Sequence, residues 1–326
     1  MKPFEFVRVK TVGDAAKALG SVRDEAKILA GGTDLLGEMK DYLVTPSRLV
    51  NIKSIPNLGK IEWDSKGGLR LGALVTLSQI QEDKRVRERY AALCEAIDVA
   101  AMPQIRNAAT IGGNLCQRPR CWYYRDEHTL CLKKGGDRCY AVNGENQYHA
   151  ILGGGPCFIV HPSDPAPALM ALGASVVISD GAKERTVPLE EFFVLPAQNV
   201  RRENILAQNE VVTHVLVPPA TPGSKSAYLK EREKDSYDWA LASAAVSVTK
   251  DAGGKVTDCR VVLGGVAPVP WRAKDAERAL TGKSLTGAAL KEAAEAALAG
   301  ARPLEHNGYK VPLATVMVER ALRKVS

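Results

Sequence analysis

The chain has 326 residues, 45% of them hydrophobic and 25% charged, the balance of a globular protein long enough for two or three domains with a sizeable core. Lys and Arg number 44 against 37 Asp and Glu, a formal net charge of +7. The cations are scattered and meet aromatics only near Trp122–Tyr124, which argues against a nucleic-acid surface. No apolar run reaches the roughly 18 residues of a membrane span, so none is expected.

The first elements read as a small α/β unit. Thr11 is placed to cap a helix through Leu19, and Ala26–Ala30 reads as a short buried strand. The strand runs directly into Gly31-Gly32-Thr33-Asp34, after which Leu35–Lys40 opens a helix. Paired glycines let a backbone approach a phosphate, a helix start offers unpaired N–H groups, and Thr33 adds a hydroxyl. Such a turn also occurs in many chains with no ligand. It is neither a GxGxxG nor a Walker A loop, so a nicotinamide Rossmann domain and a P-loop NTPase are not supported.

A second bend strengthens the reading. Val86–Ala101 is expected as one long amphipathic helix stopped at Met102-Pro103, and Arg106–Thr110 leads into Ile111-Gly112-Gly113-Asn114. Two glycine bends in one chain suit the two phosphates of a flavin dinucleotide.

Five of the seven cysteines follow within one stretch, at Cys116, Cys121, Cys131, Cys139 and Cys157, whereas Cys94 and Cys259 sit in ordinary apolar sequence. Met1-Lys-Pro-Phe-Glu-Phe-Val has no apolar signal segment, so a metal site is expected rather than a secreted disulfide framework. Zinc usually draws ligands in close pairs, and the stretch has no Cys-x-x-Cys. Cys121, Cys131, Cys139 and Cys157 are spread singly among glycines and the cations Arg118, Arg120, Arg125, Lys133, Lys134 and Arg138. That setting suits the negative charge of an iron-sulfur cluster better, with zinc and incidental buried thiols as the alternatives. His128, His149 and His161 lie in or near the loop and are expected as solvated side chains.

Regular structure resumes with a helix from Pro165, a strand at Ser175–Ser179 and a strand at Glu210–Val217 ended by Pro218-Pro219. A Pro/Gly/Ser linker over 219–225 precedes strands at Ala240–Val248 and Cys259–Val266. Helices follow at Ala273–Leu280, Thr286–Ala299 and Leu313–Lys324, with small-residue faces suited to core packing or a subunit interface. No Ser/His/Asp or paired-carboxylate arrangement stands out.

Ala30-Gly-Gly-Thr-Asp-Leu-Leu, Thr110-Ile-Gly-Gly-Asn, Pro162-Ser-Asp164 and Tyr228-Leu-Lys230-Glu-Arg232 together resemble the FAD-binding medium subunit of the xanthine dehydrogenase family of molybdenum hydroxylases. The cysteine insertion is similar to that of the flavoprotein subunits of periplasmic aldehyde oxidoreductase and 4-hydroxybenzoyl-CoA reductase, which hold an extra [4Fe-4S] cluster. Gln117–Cys121, Tyr148–Ala150 and His161–Asp164 are more like the first, while Cys116-Gln and Cys131-Leu-Lys are more like the second.

The resemblance implies an α+β chain. Residues 1–218 would form a two-lobed FAD-binding domain of the PCMH or vanillyl-alcohol-oxidase kind, with lobe one about 1–58, lobe two about 59–218 and an iron-sulfur loop at 115–160. Residues 223–326 would form a C-terminal α+β domain. Backbone amides of Ile28, Leu29, Ala30, Gly31, Gly32, Thr33, Asp34 and Leu35 would wrap the FAD pyrophosphate, with Thr110, Gly113 and Asn114 meeting it from the second lobe. Asp164 would take ribityl or ribose hydroxyls, Lys230 would reach back toward the flavin, and Cys121, Cys131, Cys139 and Cys157 would ligate the cluster, leaving Cys116 a buried thiol.

The expected function is electron transfer between [2Fe-2S] centres and an external electron acceptor or donor, within a heterotrimer that includes a small [2Fe-2S] subunit and a large molybdenum cofactor subunit. Aldehyde oxidoreductase is the first choice of activity, ahead of a 4-hydroxybenzoyl-CoA reductase or xanthine dehydrogenase type. A stand-alone iron-sulfur flavoprotein and a zinc-stabilised binding module are the readings from other classes. A cytoplasmic location is expected, or a periplasmic one if a partner carries the export signal.

Overall fold

A computed structural model describes residues 1–234 and 237–326. Three sheets organise the chain. The first is parallel, with Arg48–Asn51 between Glu5–Arg8 and Ala26–Leu29. Its crossover helix is Val12–Leu19, where the Thr11 hydroxyl accepts the N–H of Asp14 at 3.0 Å, a side-chain cap of the kind the sequence suggests. Ala15, Leu19, Val50 and Ile52 form its core.

The second sheet is antiparallel and five-stranded, in the order Ile61–Trp63, Leu69–Gly72, Val211–Val217, Ser175–Ser179, Glu184–Pro188. Val211–Val217 and Ser175–Ser179 are buried along nearly their whole length, Thr213 and His214 included. The third sheet is antiparallel, in the order Trp271–Arg272, Val256–Gly264, Ala242–Lys250, Lys225–Glu231. Helices Lys274–Leu280, Gly287–Ala297 and Lys310–Lys324 cover it, and Ala276, Ala293, Ala294, Ala314 and Ala321 lie fully inside. These small residues let helix and sheet backbones approach, so the alanine-rich faces are core.

One expected element differs. The helix anticipated from Val86 to Ala101 is two helices, Lys84–Arg89 and Ala91–Asp98, broken at Tyr90. Tyr90 is 1% exposed, stacks on Trp63 and donates its hydroxyl to Pro218 O at 2.8 Å. Its backbone leaves helical geometry, at φ −131° and ψ 59°, where the ring enters the core. Helical spacing alone does not reveal such a break.

The alignment of the elements brings both glycine bends to one place. Gly31 packs so tightly on the end of helix Pro103–Ala108 that a Cβ there would lie 1.9 Å from Ala108 O. Gly112 packs likewise on Ala73.

A cavity between two glycine bends and a cysteine loop

The bends open onto one cavity of about 900 Å³. Its lining includes Ile28, Ala30 and Gly31 to Leu35 from the first bend, Thr110, Gly113 and Asn114 from the second, and Asp164. Leu29 turns instead into a small core with Met39 and Leu49, and Lys230 is not part of the lining.

The bends contribute differently. Among the described residues the backbone N–H groups of Gly32, Thr33, Asp34 and Leu35 have no protein partner, and they lie at the start of helix Leu35–Lys40. Such N–H groups bind an anion well. At the second bend the N–H groups are spent: Ile111 N on Val75 O, Gly112 N on Ala73 O, Gly113 N on the Thr110 hydroxyl and Asn114 N on Thr110 O. What remains there is side chain. Asn114 Oδ1 accepts from Ser163 Oγ at 2.5 Å, leaving its NH₂ as donor. The first bend therefore fits a phosphate-bearing cofactor with backbone donors, and the second offers it side chains.

Asp164 receives the Tyr228 hydroxyl at 2.7 Å and Lys230 Nζ at 2.9 Å. Both partners come from strand Lys225–Glu231 of the third sheet. Burial, and then the Asp164 charge, push the Tyr228 phenol well above its ordinary value, so it stays a donor. Lys230 also donates to Val99 O at 3.2 Å. The lysine expected to reach toward a flavin is thus engaged by the carboxylate beside the cavity.

Asp34 faces away from its own helix. Its Oδ2 accepts Arg118 N at 2.7 Å, and its Oδ1 lies 2.8 Å from both Arg120 and Arg125. One turn on, Glu38 takes the Tyr124 hydroxyl at 2.6 Å, and Glu203 pairs with Arg118 at 2.8 Å and Lys133 at 2.6 Å. Burial, and next Asp34, raise the Glu38 carboxyl above its usual range. Burial opposes the charge on Arg118, yet Glu203, Tyr124 and Glu38 hold its pKa above normal.

This network corrects one expectation. Arg118, Arg120, Arg125 and Lys133, anticipated as compensation for cluster charge, are paired with carboxylates, because a buried guanidinium or ammonium needs a counter-charge within hydrogen-bond reach. Glu38 and Glu203 escaped notice in the sequence, and Tyr228 stood in a motif there without a role of its own. For Glu38 a signal existed, since Asp34 and Glu38 are four apart on one helix face opposite an arginine-rich loop.

Cys131 and Cys157 are buried, and Cys121 and Cys139 partly so. The thiols of Cys139 and Cys157 are hydrogen-bonded, which with the N–H groups of Phe158, Ala141 and Val142 holds Cys139 below the ordinary thiol range against its burial. Cys157 is raised as that bond's donor, and then by burial. Burial pushes Cys121 up to about 11 although the N–H groups of Tyr124 and Tyr123 point at its sulfur. Soft sulfur donors with N–H groups aimed at them match a thiolate-bound cluster in kind. Among the described residues, however, no group of three or more His, Cys, Asp or Glu side chains is placed to hold a metal ion. Cys116 lines the cavity from a partly buried position, and Cys94 and Cys259 are core residues.

The histidines split. His128 is exposed, as expected, whereas His149 and His161 are buried and held neutral, burial pushing both down to about 4. His149 Nε2 lies 3.2 Å from Cys121 Sγ, and its Nδ1 is buried without a partner among the described residues.

Known proteins are similar to this chain over nearly its whole length. Residues 2–220 match the family described as FAD binding domain in molybdopterin dehydrogenase, and residues 227–325 match the CO dehydrogenase flavoprotein C-terminal domain. The chain is 38% identical over 321 residues to the aldehyde oxidoreductase FAD-binding subunit PaoB of Escherichia coli K12, covering 96% of this chain and 95% of that one. It is 31% identical to the carbon monoxide dehydrogenase medium chain of Hydrogenophaga pseudoflava, covering 98% and 96%. Against the solved carbon monoxide dehydrogenase of H. pseudoflava that lacks the Mo-pyranopterin moiety, the TM-score is 0.78 at 32% identity, covering 99% of this chain and 96% of that one.

Proposed function

The chain belongs to the FAD-binding medium subunits of the xanthine dehydrogenase and CO dehydrogenase family, and on that premise we propose that it is the FAD and [4Fe-4S] electron-transfer subunit of a heterotrimeric aldehyde oxidoreductase. Its partners would be a small [2Fe-2S] subunit and a large molybdenum cofactor subunit where substrate reacts. The observation that carries the flavin part is the row of free N–H groups from Gly32 to Leu35 on a cavity shared with the second bend.

Bound FAD supplies the exchange between two-electron and one-electron steps. The residues of this chain hold and shield it. Gly32 to Leu35 would donate to the pyrophosphate, and the Asn114 amide would donate from the second bend. Asp164, which accepts from Lys230 and Tyr228, would have lone pairs left for a sugar hydroxyl.

Cys121, Cys131, Cys139 and Cys157 would hold the cluster. Support comes from the backbone N–H groups aimed at Cys121 and Cys139 and from the likeness to PaoB. The PaoB likeness also favours aldehydes as substrates of the complex, since it exceeds that to the carbon monoxide enzymes.

The test is analysis of the purified protein. FAD, iron and acid-labile sulfide in stoichiometric amounts, co-purification of two further chains and aldehyde-dependent dye reduction are expected. A colourless preparation with neither flavin nor iron would end the reading, and stoichiometric zinc without sulfide would end its cluster part.

A further inference from the structure

The cavity wall meets the cysteine loop at three carboxylates, Asp34, Glu38 and Glu203, of which Asp34 belongs to the first glycine bend. Asp34 stands at the start of helix Leu35–Lys40, where an aspartate ordinarily turns back to cap its own helix, yet it makes no side-chain cap bond. It spends both oxygens on the loop, accepting Arg118 N at 2.7 Å and pairing with Arg120 and Arg125 at 2.8 Å. Arg120 and Arg125 flank Cys121, and Arg118 lies between it and Asn114 of the second bend. The three side chains in these pairs are between 17% and 26% exposed, so water screens them weakly.

We propose that Asp34 is a positioning residue that couples occupancy of the FAD cradle to the order of the cysteine loop around Cys121. The proposal rests on the reading that the N–H groups of residues 32–35 bind the FAD pyrophosphate. When that anion fixes the peptide of Asp34, its carboxylate is fixed with it, and so are the loop groups bonded to it. The carboxylate also competes with the phosphate for nearby cations. Arg120 lines the cavity, and without a negative partner at Asp34 its guanidinium would turn toward the bound phosphate and drag the loop with it, whereas the Arg118 guanidinium stays paired with Glu203. Arg125 is held to the loop itself through Pro119 O at 2.8 Å, so a pull at Asp34 reaches the segment on both sides of Cys121.

Amide hydrogen exchange in the purified complex, stripped of flavin and then reloaded with saturating FAD, reads the coupling directly. In the wild type FAD is expected to slow exchange over residues 118–125 by about tenfold, the factor that one charge-assisted hydrogen bond supplies. In Asp34→Asn, saturated with FAD as shown by its absorbance, that slowing is expected to vanish, and in Arg125→Gln to fall part of the way. Equal slowing in flavin-saturated Asp34→Asn and wild type, or no slowing in a wild type that does bind FAD, overturns the proposal. If Asp34→Asn does not fold, Arg125→Gln decides by the same comparison, equal slowing there again overturning it. A wild type that takes up no FAD fails the functional reading itself, and is recognised by its missing absorbance before exchange is measured.

Discussion

Lys230 Nζ lies 2.9 Å from Asp164 Oδ2, with the lysine side chain 1% and the aspartate 5% exposed, the lysine on strand Lys225–Glu231 and the aspartate at the start of helix Pro165–Ala171. A pair this deep is costly to split, since either partner left alone is an uncompensated buried charge. Lys230→Met is therefore expected to destabilise the chain by about 3–5 kcal/mol, read as a drop in urea midpoint. Lys230→Met combined with Asp164→Asn should recover much of that loss. A single variant within about 0.5 kcal/mol of wild type would show that the pair contributes no more than a surface bridge.

The two glycines of the first bend ask for different substitutions. At Gly31 a Cβ would sit 1.9 Å from the backbone oxygen of Ala108, so even alanine must push the bends apart. At Gly32 the contacts are the movable side chains of Leu36 and Leu29 at 3.0 and 3.2 Å, but φ is +75°, a region that β-branched residues avoid. Both Gly31→Ala and Gly32→Val are expected to lose bound FAD, the first with a larger fall in melting temperature. Full flavin occupancy in Gly31→Ala, measured by absorbance per chain, would mean the close approach of the bends does not shape the cradle.

Replacing Cys139 with serine separates the cysteine loop from the flavin cradle. The free N–H groups belong to residues 32–35, and no bond to Cys139 holds them. Cys139→Ser is expected to lose iron, labile sulfide and any cluster spectrum while retaining most of its FAD. Unchanged iron and sulfide would remove Cys139 from the ligand set.

Much of this was legible because it is local. A strand running into Gly31-Gly32 and a threonine, Thr11, capping the first helix are short-range features, and the structure has both. Chemistry made by distant segments was not legible. Nothing in the spacing says that Glu203 will meet Arg118 and Lys133, that Tyr228 will meet Asp164, or that His149 will be buried. Each depends on how sheets stack, which periodicity does not encode. Lys230 shows the same boundary: its motif marks it, but its partner is visible only in three dimensions.

Lys310 is a last case of that kind, and its consequence is a pH dependence. It begins the final helix, is fully buried, and donates Nζ to Gly265 O at 2.7 Å, Tyr148 O at 2.9 Å and His149 O at 3.3 Å, bracing the loop from the C-terminal side. Asn307 adds a bond to His149 O at 3.1 Å. Burial pushes Lys310 down to about 7 from an ordinary 10.5. Between those values the unfolded chain binds more protons than the folded one, so this group makes stability rise with pH across that window, by at most about 1.4 kcal/mol per pH unit. Below pH 7 both states hold the proton and the contribution is flat. The neighbouring ionisable ring, His149, is held down to about 4 and is neutral throughout. Lys310→Met keeps the apolar stem, removes the titrating group and frees the three carbonyls. It is expected to lower stability overall and to flatten the wild-type rise between pH 7 and 10, in urea titrations run across that range. Parallel curves for the two proteins would show that Lys310 keeps its proton in both states, its three carbonyl partners outweighing burial.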